Sequence, residues 1–333
     1  MDTSNKPTVG VLSSGSWGTA LVKILCENLD TVHWWVRDDY VKGCLQNEKR
    51  NPKYLSTIEF DPNKLHLSTD INQIVEASDI LVNVIPSIYQ KESFEKVTVS
   101  MEGKMIYSSV KGIIPSEMKS VGSYLHDTFG IPYDFLGNIS GPCHAEEVAL
   151  EKLSYLTISA QNLSKAKVFA DLLDCKFINT TTTDDIWGTE YAAVLKNVYS
   201  IACGIAHGLS FGDNFQSILM SNAIREIELF LNALYPMDRD ISKSAYLGDL
   251  LVTGYSYFSR NRTFGVMIGK GYTVKSAMLE MNMVAEGYYG SDGLNQMVKD
   301  NKLKMPIFKA VHDILYREKN PIEIFKKLSD HLD

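Results

Sequence analysis

The sequence is poor in cysteine, and its cysteines are not placed for a structural task. The five residues Cys26, Cys44, Cys143, Cys175 and Cys203 are scattered through 333 positions with no CxxC pair. That spacing argues against a disulfide framework and against a zinc site, and fits reduced thiols in a cytoplasmic protein. No metal is expected. Cations are the second shortage: 33 Lys and Arg stand against 40 Asp and Glu, a formal net charge of −7. An acidic chain is ill suited to general binding of nucleic acid or of an anionic membrane. Any anionic substrate must therefore be held by a few local cations. No uninterrupted apolar stretch is long enough to span a bilayer. The opening residues MDTSNKPT are polar and lack the apolar run of a signal peptide. Repeats and low-complexity segments are also missing. What is present is 45% hydrophobic, enough for substantial buried cores, and the length suggests about two domains.

The first half alternates strand and helix patterns. Thr8–Ser14 is a β-branched run read as a buried strand, followed at once by Gly15 and Gly18 and then by a helical pattern over Thr19–Asn28. Strand, glycine turn and helix form the context of a dinucleotide fingerprint. The motif GxGxxG maps onto Ser13-Ser14-Gly15-Ser16-Trp17-Gly18, with its second and third glycines present and Ser13 in place of the first. Gly15 lets the backbone approach a pyrophosphate, and the helix start aims N–H groups at its charge. A second strand, Thr31–Val36, ends in Arg37-Asp38-Asp39. An acid at this strand end holds the ribose hydroxyl of NAD, whereas an arginine suits the 2′-phosphate of NADP. Because Arg37 comes first and Asp38 next, the expected cofactor is NADP or NAD, with NADP favoured. His33, inside this strand, reads as a packed core residue. Further strands are expected at Asp79–Val84, Lys104–Ser108, Asp134–Ser140, Leu153–Ala160 and Cys175–Thr181, with a helix at Leu163–Leu173. The expected fold is an α/β doubly wound, Rossmann-like sheet over residues 1–185. Lys111, next to Gly112 at a strand end, is a candidate anion or carbonyl contact; Cys143, after Gly141-Pro142, reads as a small packing residue beside a ligand.

From Ile186 onward strand patterns nearly vanish, so residues 186–333 are expected to form an all-helical domain. Its first helix, Ile186–Gly204, has Lys196 as its only cation. At helical spacing Lys196 shares a face with Ala192, Ala193, Tyr199 and Ser200, mostly small residues. A lysine so placed loses water, which lowers its pKa and lets it exchange a proton near neutrality. Further helices are expected at Asn214–Asn232, Thr273–Asn282, Ser291–Asp300, Pro306–Arg317 and Pro321–Leu328. Two loops draw notice. Leu247–Thr253 buries the single acid Asp249 in an apolar run, and pairing it with Lys196 resolves two costly burials together. Ser259-Arg260-Asn261-Arg262 offers an arginine fork beside an amide and a hydroxyl, which suits a phosphate. Val284–Gly287 carries a further loop acid, Glu286.

These motifs occur together and in order. Gly15–Ala20, Val84–Ser87, Val110–Gly112, Ser140–Pro142, Lys196-Asn197, Gly212–Asn214, Gly248–Leu250, Ser259–Asn261 and Glu286–Tyr288 resemble the bacterial type of NAD(P)-dependent glycerol-3-phosphate dehydrogenase over nearly the whole length. The resemblance implies an enzyme, a homodimer, that interconverts dihydroxyacetone phosphate and sn-glycerol 3-phosphate for phospholipid synthesis. It makes Lys196 the general acid and base, supported by Asp249 and Lys111. It places Lys111, Gly141, Cys143, Asn197, Asp249, Thr253, Ser259, Arg260 and Asn261 around the substrate. Around the cofactor it places Gly15, Ser16, Trp17, Gly18, Arg37, Lys111, Ala145, Arg260, Val284 and Glu286. Three positions depart from the family pattern: Ser13 for glycine, Cys143 for a hydroxyl residue and Asn222 for arginine. The alternatives are a reductase of another oxo or hydroxy acid on the same fold and an inactive NADP-binding homologue.

Overall fold

The computed structural model describes residues 6–281 and 284–333. Asn282, the expected end of one helix, lies outside the described residues. The chain divides into two compact units: Met1–Val110 with Val121–Ile186, and Lys111–Ser120 with Trp187–Asp333.

The first unit is built on one sheet of eight strands: β1 (Val9–Leu12), β2 (Val32–Trp35), β3 (Leu65–Ser68), β4 (Ile80–Asn83), β5 (Met105–Ser108), β6 (Leu136–Ser140), β7 (Ser154–Ala160) and β8 (Ile178–Thr183). Its helices are α1 (Ser16–Asn28), α2 (Asp39–Asn47), α3 (Ile71–Glu76), α4 (Gln90–Phe94), α5 (Val121–Phe129), α6 (Ala145–Ala149) and α7 (Leu163–Leu173). The strand order is β3-β2-β1-β4-β5-β6-β7-β8. Every neighbouring pair is parallel except β6 with β7. All residues of β1, β4 and β5 are buried. That explains their near-continuous apolar sequences, since a parallel strand covered on both faces has no solvent side to mark. The edge strand β3, with sequence LHLS, escapes detection from sequence because it is short and mostly half-exposed. The core joins Leu21 and Ile24 of α1 to Trp34, Val82 and Ile158 of the strands. Tyr107 stacks on Phe169 with ring centroids 4.2 Å apart.

The first six strands follow the doubly wound dinucleotide-binding order. From β1 the chain moves outward to β2 and β3, then returns to the other side of β1 as β4. Carboxyl ends on either side of such a reversal splay apart and leave the crevice in which nucleotides bind. The β1–α1 turn lies at that point.

Among the described residues of the second unit every regular element is a helix: α8 (Ile186–Gly208, entered from the first unit), α9 (Gly212–Leu234), α10 (Asp249–Tyr255), α11 (Arg260–Gly269), α12 (Val274–Glu280), α13 (Glu286–Gly293), α14 (Asn295–Asp300), α15 (Pro306–Arg317) and α16 (Pro321–Ser329). A π-helical turn, Ser244–Gly248, precedes α10. Residues 111–120 also belong here: Ile113 is part of this unit's core, and Ser120 Oγ donates to Glu190 Oε2 at 2.8 Å. The contiguous boundary at 185 thus misses a segment that leaves the sheet after β5 and packs with the helices. The supposed loops around Asp249 and Arg260–Arg262 are α10 and the start of α11. The pattern over Ser291–Asp300 is split at Leu294 between α13 and α14.

Helix α8 is buried at every residue from Gly188 to Ala206. Its crossing with α11 is made by glycines. A Cβ on Gly265 would strike the Ile201 carbonyl, and one on Gly208 would lie 2.6 Å from the Val266 carbonyl. Backbones this close leave no space for a methyl group, and overpacking of a rigid crossing costs about 1–3 kcal/mol or more. Gly43, in α2, has nothing within 4 Å of its Cβ position. Gly265→Ala is therefore expected to lower the thermal midpoint by several degrees, whereas Gly43→Ala is expected to raise it slightly. Differential scanning calorimetry of the two variants checks the contrast.

Candidate active site

The second unit carries a buried charge cluster. Lys196 projects from α8 and is only 4% exposed; Asp249, the first residue of α10, is 1% exposed. Lys196 Nζ donates to Asp249 Oδ1, and to Thr253 Oγ1 at 2.9 Å. Thr253 lies one turn beyond Asp249, and its hydroxyl donates to the Asp249 carbonyl at 2.6 Å. The other carboxylate oxygen, Oδ2, accepts from Lys111 Nζ at 3.4 Å. Asn197, next to Lys196, fixes that segment by donating Nδ2 to the Lys111 carbonyl at 2.8 Å. The π-helical turn delivers Asp249 into this cluster; such turns recur at functional sites.

Two ammonium groups thus share one carboxylate. Burial pushes the Lys196 pKa down to about 7; Asp249 opposes that fall and Lys111 adds to it. Burial alone would raise the Asp249 pKa, but Lys111 and Lys196 together outweigh it and hold the group below the usual carboxylate value. The result is an amine able to hold or release a proton near neutral pH, beside a carboxylate that stays charged.

Helix α11 is tied to the same cluster by hydroxyls. Ser200 Oγ donates to the Thr253 carbonyl at 2.9 Å and lies 2.8 Å from Ser259 Oγ. Ser259 caps α11, accepting from the Arg262 amide at 3.3 Å. Arg260 and Asn261 open the helix, where backbone N–H groups and the helix dipole favour an anion. Asn261 Oδ1 accepts from the Gly287 amide at 2.9 Å, leaving its NH₂ as the group to meet an anion. The expected arginine fork is divided: Arg260 is exposed, whereas Arg262 is buried with its guanidinium 5.1 Å from the Tyr257 ring. Residues two apart on a helix face different ways.

The expected pyrophosphate residues Gly15, Ser16, Trp17 and Gly18 lie at the β1–α1 turn. A Cβ on Gly18 would run into the Ser13 carbonyl, so this position requires glycine. At Gly15 the side that a Cβ would fill is open except for Ser13 Oγ at 3.8 Å. No side chain caps α1 and no acid occupies its first turn. Trp17 Nε1 is buried with no hydrogen-bond partner among the described residues. An open glycine face, uncapped amides and an orphan donor are what a pyrophosphate needs, so the residues present fit a dinucleotide. Asn51 braces the turn, donating Nδ2 to the Ser14 carbonyl at 3.0 Å and to Thr19 Oγ1 at 2.9 Å. Asn51 is fully buried, though nothing in its local sequence marks it so.

Arg37 is exposed at the end of β2, its guanidinium 5.8 Å from the Tyr89 ring. Asp38 caps α2 through the Tyr40 amide and pairs with Lys53. His33, expected in the core, is half-buried, and its ring lies 4.9 Å from that of His66. Gly141 follows β6; Cys143 is half-buried, and Ala145 is the first residue of α6. Val284 lies just before α13, and Glu286 begins it. Asn222 donates Nδ2 to the Ile218 and Asp333 carbonyls at 3.0 and 2.8 Å, a structural tie to the chain end.

A doubly wound nucleotide sheet together with a helical unit holding a buried lysine–carboxylate cluster defines a nicotinamide-dependent oxidoreductase. Comparison with known proteins gives the family. The model of the NAD-dependent glycerol-3-phosphate dehydrogenase N-terminus matches residues 8–166, and that of its C-terminus residues 185–326. The glycerol-3-phosphate dehydrogenase (NAD(P)+) of Oceanobacillus iheyensis is 34% identical over 321 residues, 96% of this chain and 93% of its own. The enzyme of that name from Latilactobacillus sakei is 32% identical over 316 residues, 93% of this chain and 92% of its own. A crystal structure of glycerol-3-phosphate dehydrogenase from Coxiella burnetii matches with a TM-score of 0.88 at 26% identity, covering 97% of this chain and 98% of that one. This chain belongs to the NAD-dependent glycerol-3-phosphate dehydrogenase family.

The cluster makes a prediction of its own. Asp249→Asn removes the group that raises the Lys196 pKa and should move it below 7, whereas Lys111→Met removes a repelling charge and should move it up. Nitrogen NMR of labelled lysine Nζ across a pH titration reads both shifts; a native value near the ordinary 10.5 contradicts the arrangement.

Proposed function

We propose that this chain interconverts dihydroxyacetone phosphate and sn-glycerol 3-phosphate using NADP or NAD, with Lys196 as general acid and base. The Lys196–Asp249–Lys111 cluster carries this assignment, within a family whose relatives bear that activity in their names. Bound NAD(P)H supplies the hydride for reduction. Lys196, as an ammonium, gives its proton to the alkoxide forming on the central carbon; as a free amine it takes that proton back in oxidation. Thr253 and Asp249 orient Nζ, and Lys111 adds positive potential where negative charge develops. Arg260 and Asn261 grip the phosphate, with Ser259 holding the helix start in register and Asn197 fixing the Lys111 backbone. Binding energy from that non-reacting phosphate orients the carbonyl for attack. Gly141 and Cys143 complete the substrate contacts.

For the cofactor, Gly15, Ser16, Trp17 and Gly18 take the pyrophosphate, while Lys111, Ala145, Arg260, Val284 and Glu286 serve its remaining parts. Arg37 takes the 2′-phosphate of NADP. Asp38 supports this choice, because its carboxylate already serves α2 and Lys53. We also place the protein in the cytoplasm as a homodimer whose product feeds phospholipid synthesis. Five free cysteines, and no described helix long and apolar enough to cross a membrane, support the location. The exposed apolar side chains of Leu251, Tyr255, Tyr257 and Phe258 support association.

Lys196→Ala is expected to leave NADPH binding intact and to cut kcat by about 10²–10⁴-fold. Arg260→Gln should instead raise KM for dihydroxyacetone phosphate roughly 10- to 100-fold through a lost charge-assisted contact, with a smaller fall in kcat as the carbonyl loses its orientation. Steady-state assays following NADPH absorbance separate the two effects. Near-native kcat in Lys196→Ala sinks the catalytic assignment.

A further inference from the structure

Ser13 occupies the first glycine position of the dinucleotide fingerprint, and the backbone there has not adjusted to a side chain. Its φ is +122°, a conformation that residues bearing a Cβ rarely adopt. The surroundings enforce it. The Ser13 carbonyl accepts from Trp34 Nε1 at 2.9 Å and packs against Gly18, while Asn51 holds the Ser14 carbonyl. A strained residue kept in a turn that glycine would fill without strain calls for a compensating role.

Its side chain shows what that role is. Ser13 Oγ is the one atom that a Cβ on Gly15 would meet within 4 Å, at 3.8 Å. The hydroxyl therefore borders the face of Gly15 that must stay open for the pyrophosphate. Oγ also accepts from the Gly15 amide at 3.4 Å, a long bond that nonetheless uses its acceptor side. The hydroxyl hydrogen meets no acceptor among the described residues. An oxygen that accepts from the backbone and keeps its hydrogen available is suited to donate to a phosphate oxygen.

We propose that the Ser13 hydroxyl is a ligand of the cofactor pyrophosphate, donating a hydrogen bond that the glycine of the GxGxxG fingerprint cannot make. This rests on the family's use of a nicotinamide dinucleotide and adds a side-chain contact at the first position of the fingerprint. The hydroxyl offsets in binding what the turn loses in stability.

The test pairs two variants with two ligands, read by calorimetric titration and by thermal melting of the ligand-free protein. Ser13→Gly should raise Tm by about 2–4 °C as the strain is released, and weaken NADPH binding about tenfold. Ser13→Ala keeps the strained backbone without the hydroxyl, so it should weaken NADPH to the same degree with no gain in Tm. Neither should change the affinity for 2′-AMP, which lacks the pyrophosphate. Native-like or tighter NADPH binding by Ser13→Gly would overturn the proposal and make the side chain a mere obstruction. Equal weakening of 2′-AMP would overturn it too, by tracing the effect to the whole turn. A native protein that binds no NADPH would instead strike at the cofactor reading on which the proposal stands.

Discussion

A buried amine held by a buried carboxylate is the constraint on which the helical unit depends. Lys196 sits on a helix enclosed on all sides, where an unpaired ammonium would be expensive. Asp249 answers it only if α10 lies against α8, and Lys111 reaches the same carboxylate only if residues 111–120 leave the sheet and join the helices. The glycine crossing of α8 with α11, the π-helical turn before Asp249 and the Asn197 bond to the Lys111 backbone all serve this convergence. The cluster is not optimised for stability. Two cations around one anion leave an excess of positive charge; burial is the main cause of the lowered Lys196 pKa, with Lys111 adding to the fall and Asp249 opposing it. That same imbalance suits the site to an anionic substrate and to charge developing on oxygen.

Each unit solves a different electrostatic problem with a different material. In the first, α1 leaves its opening amides uncapped by any side chain and the face of Gly15 largely open, which suits a pyrophosphate. In the second, the proposed proton transfer falls to side chains, because amides cannot give a proton and take it back. A net charge of −7 does not bar a phosphorylated ligand, since Lys111 and Lys196 are gathered around one carboxylate rather than spread over the surface.

Much of this was legible in the sequence where local pattern and tertiary role agree. The buried strands β1, β4 and β5 and helix α7 stand at or near their expected places because their burial is written as apolar runs or periodicity. The Lys196–Asp249 pairing was readable because each charge was out of place in its own segment. What escaped depends on partners distant in sequence. Residues 111–120 look like any strand-to-helix connection until Ile113 is seen in the helical core. Asn51 has no local mark, since its meaning lies in the Ser14 carbonyl. The helices at Asp249 and Arg260 read as loops because Gly248, Gly254 and the polar run Ser259–Thr263 depress helix propensity, and tertiary packing overrides it.

The most direct measurement of the central claim is kcat against pH in both directions. Reduction needs Lys196 charged, so its rate should fall as pH rises through about 7. Oxidation needs the free amine, so its rate should climb through the same range. Mirror-image limbs that share a midpoint far below the ordinary lysine value are the predicted result. Profiles that move together, or a common midpoint near 10.5, would contradict Lys196 as the proton-transferring group.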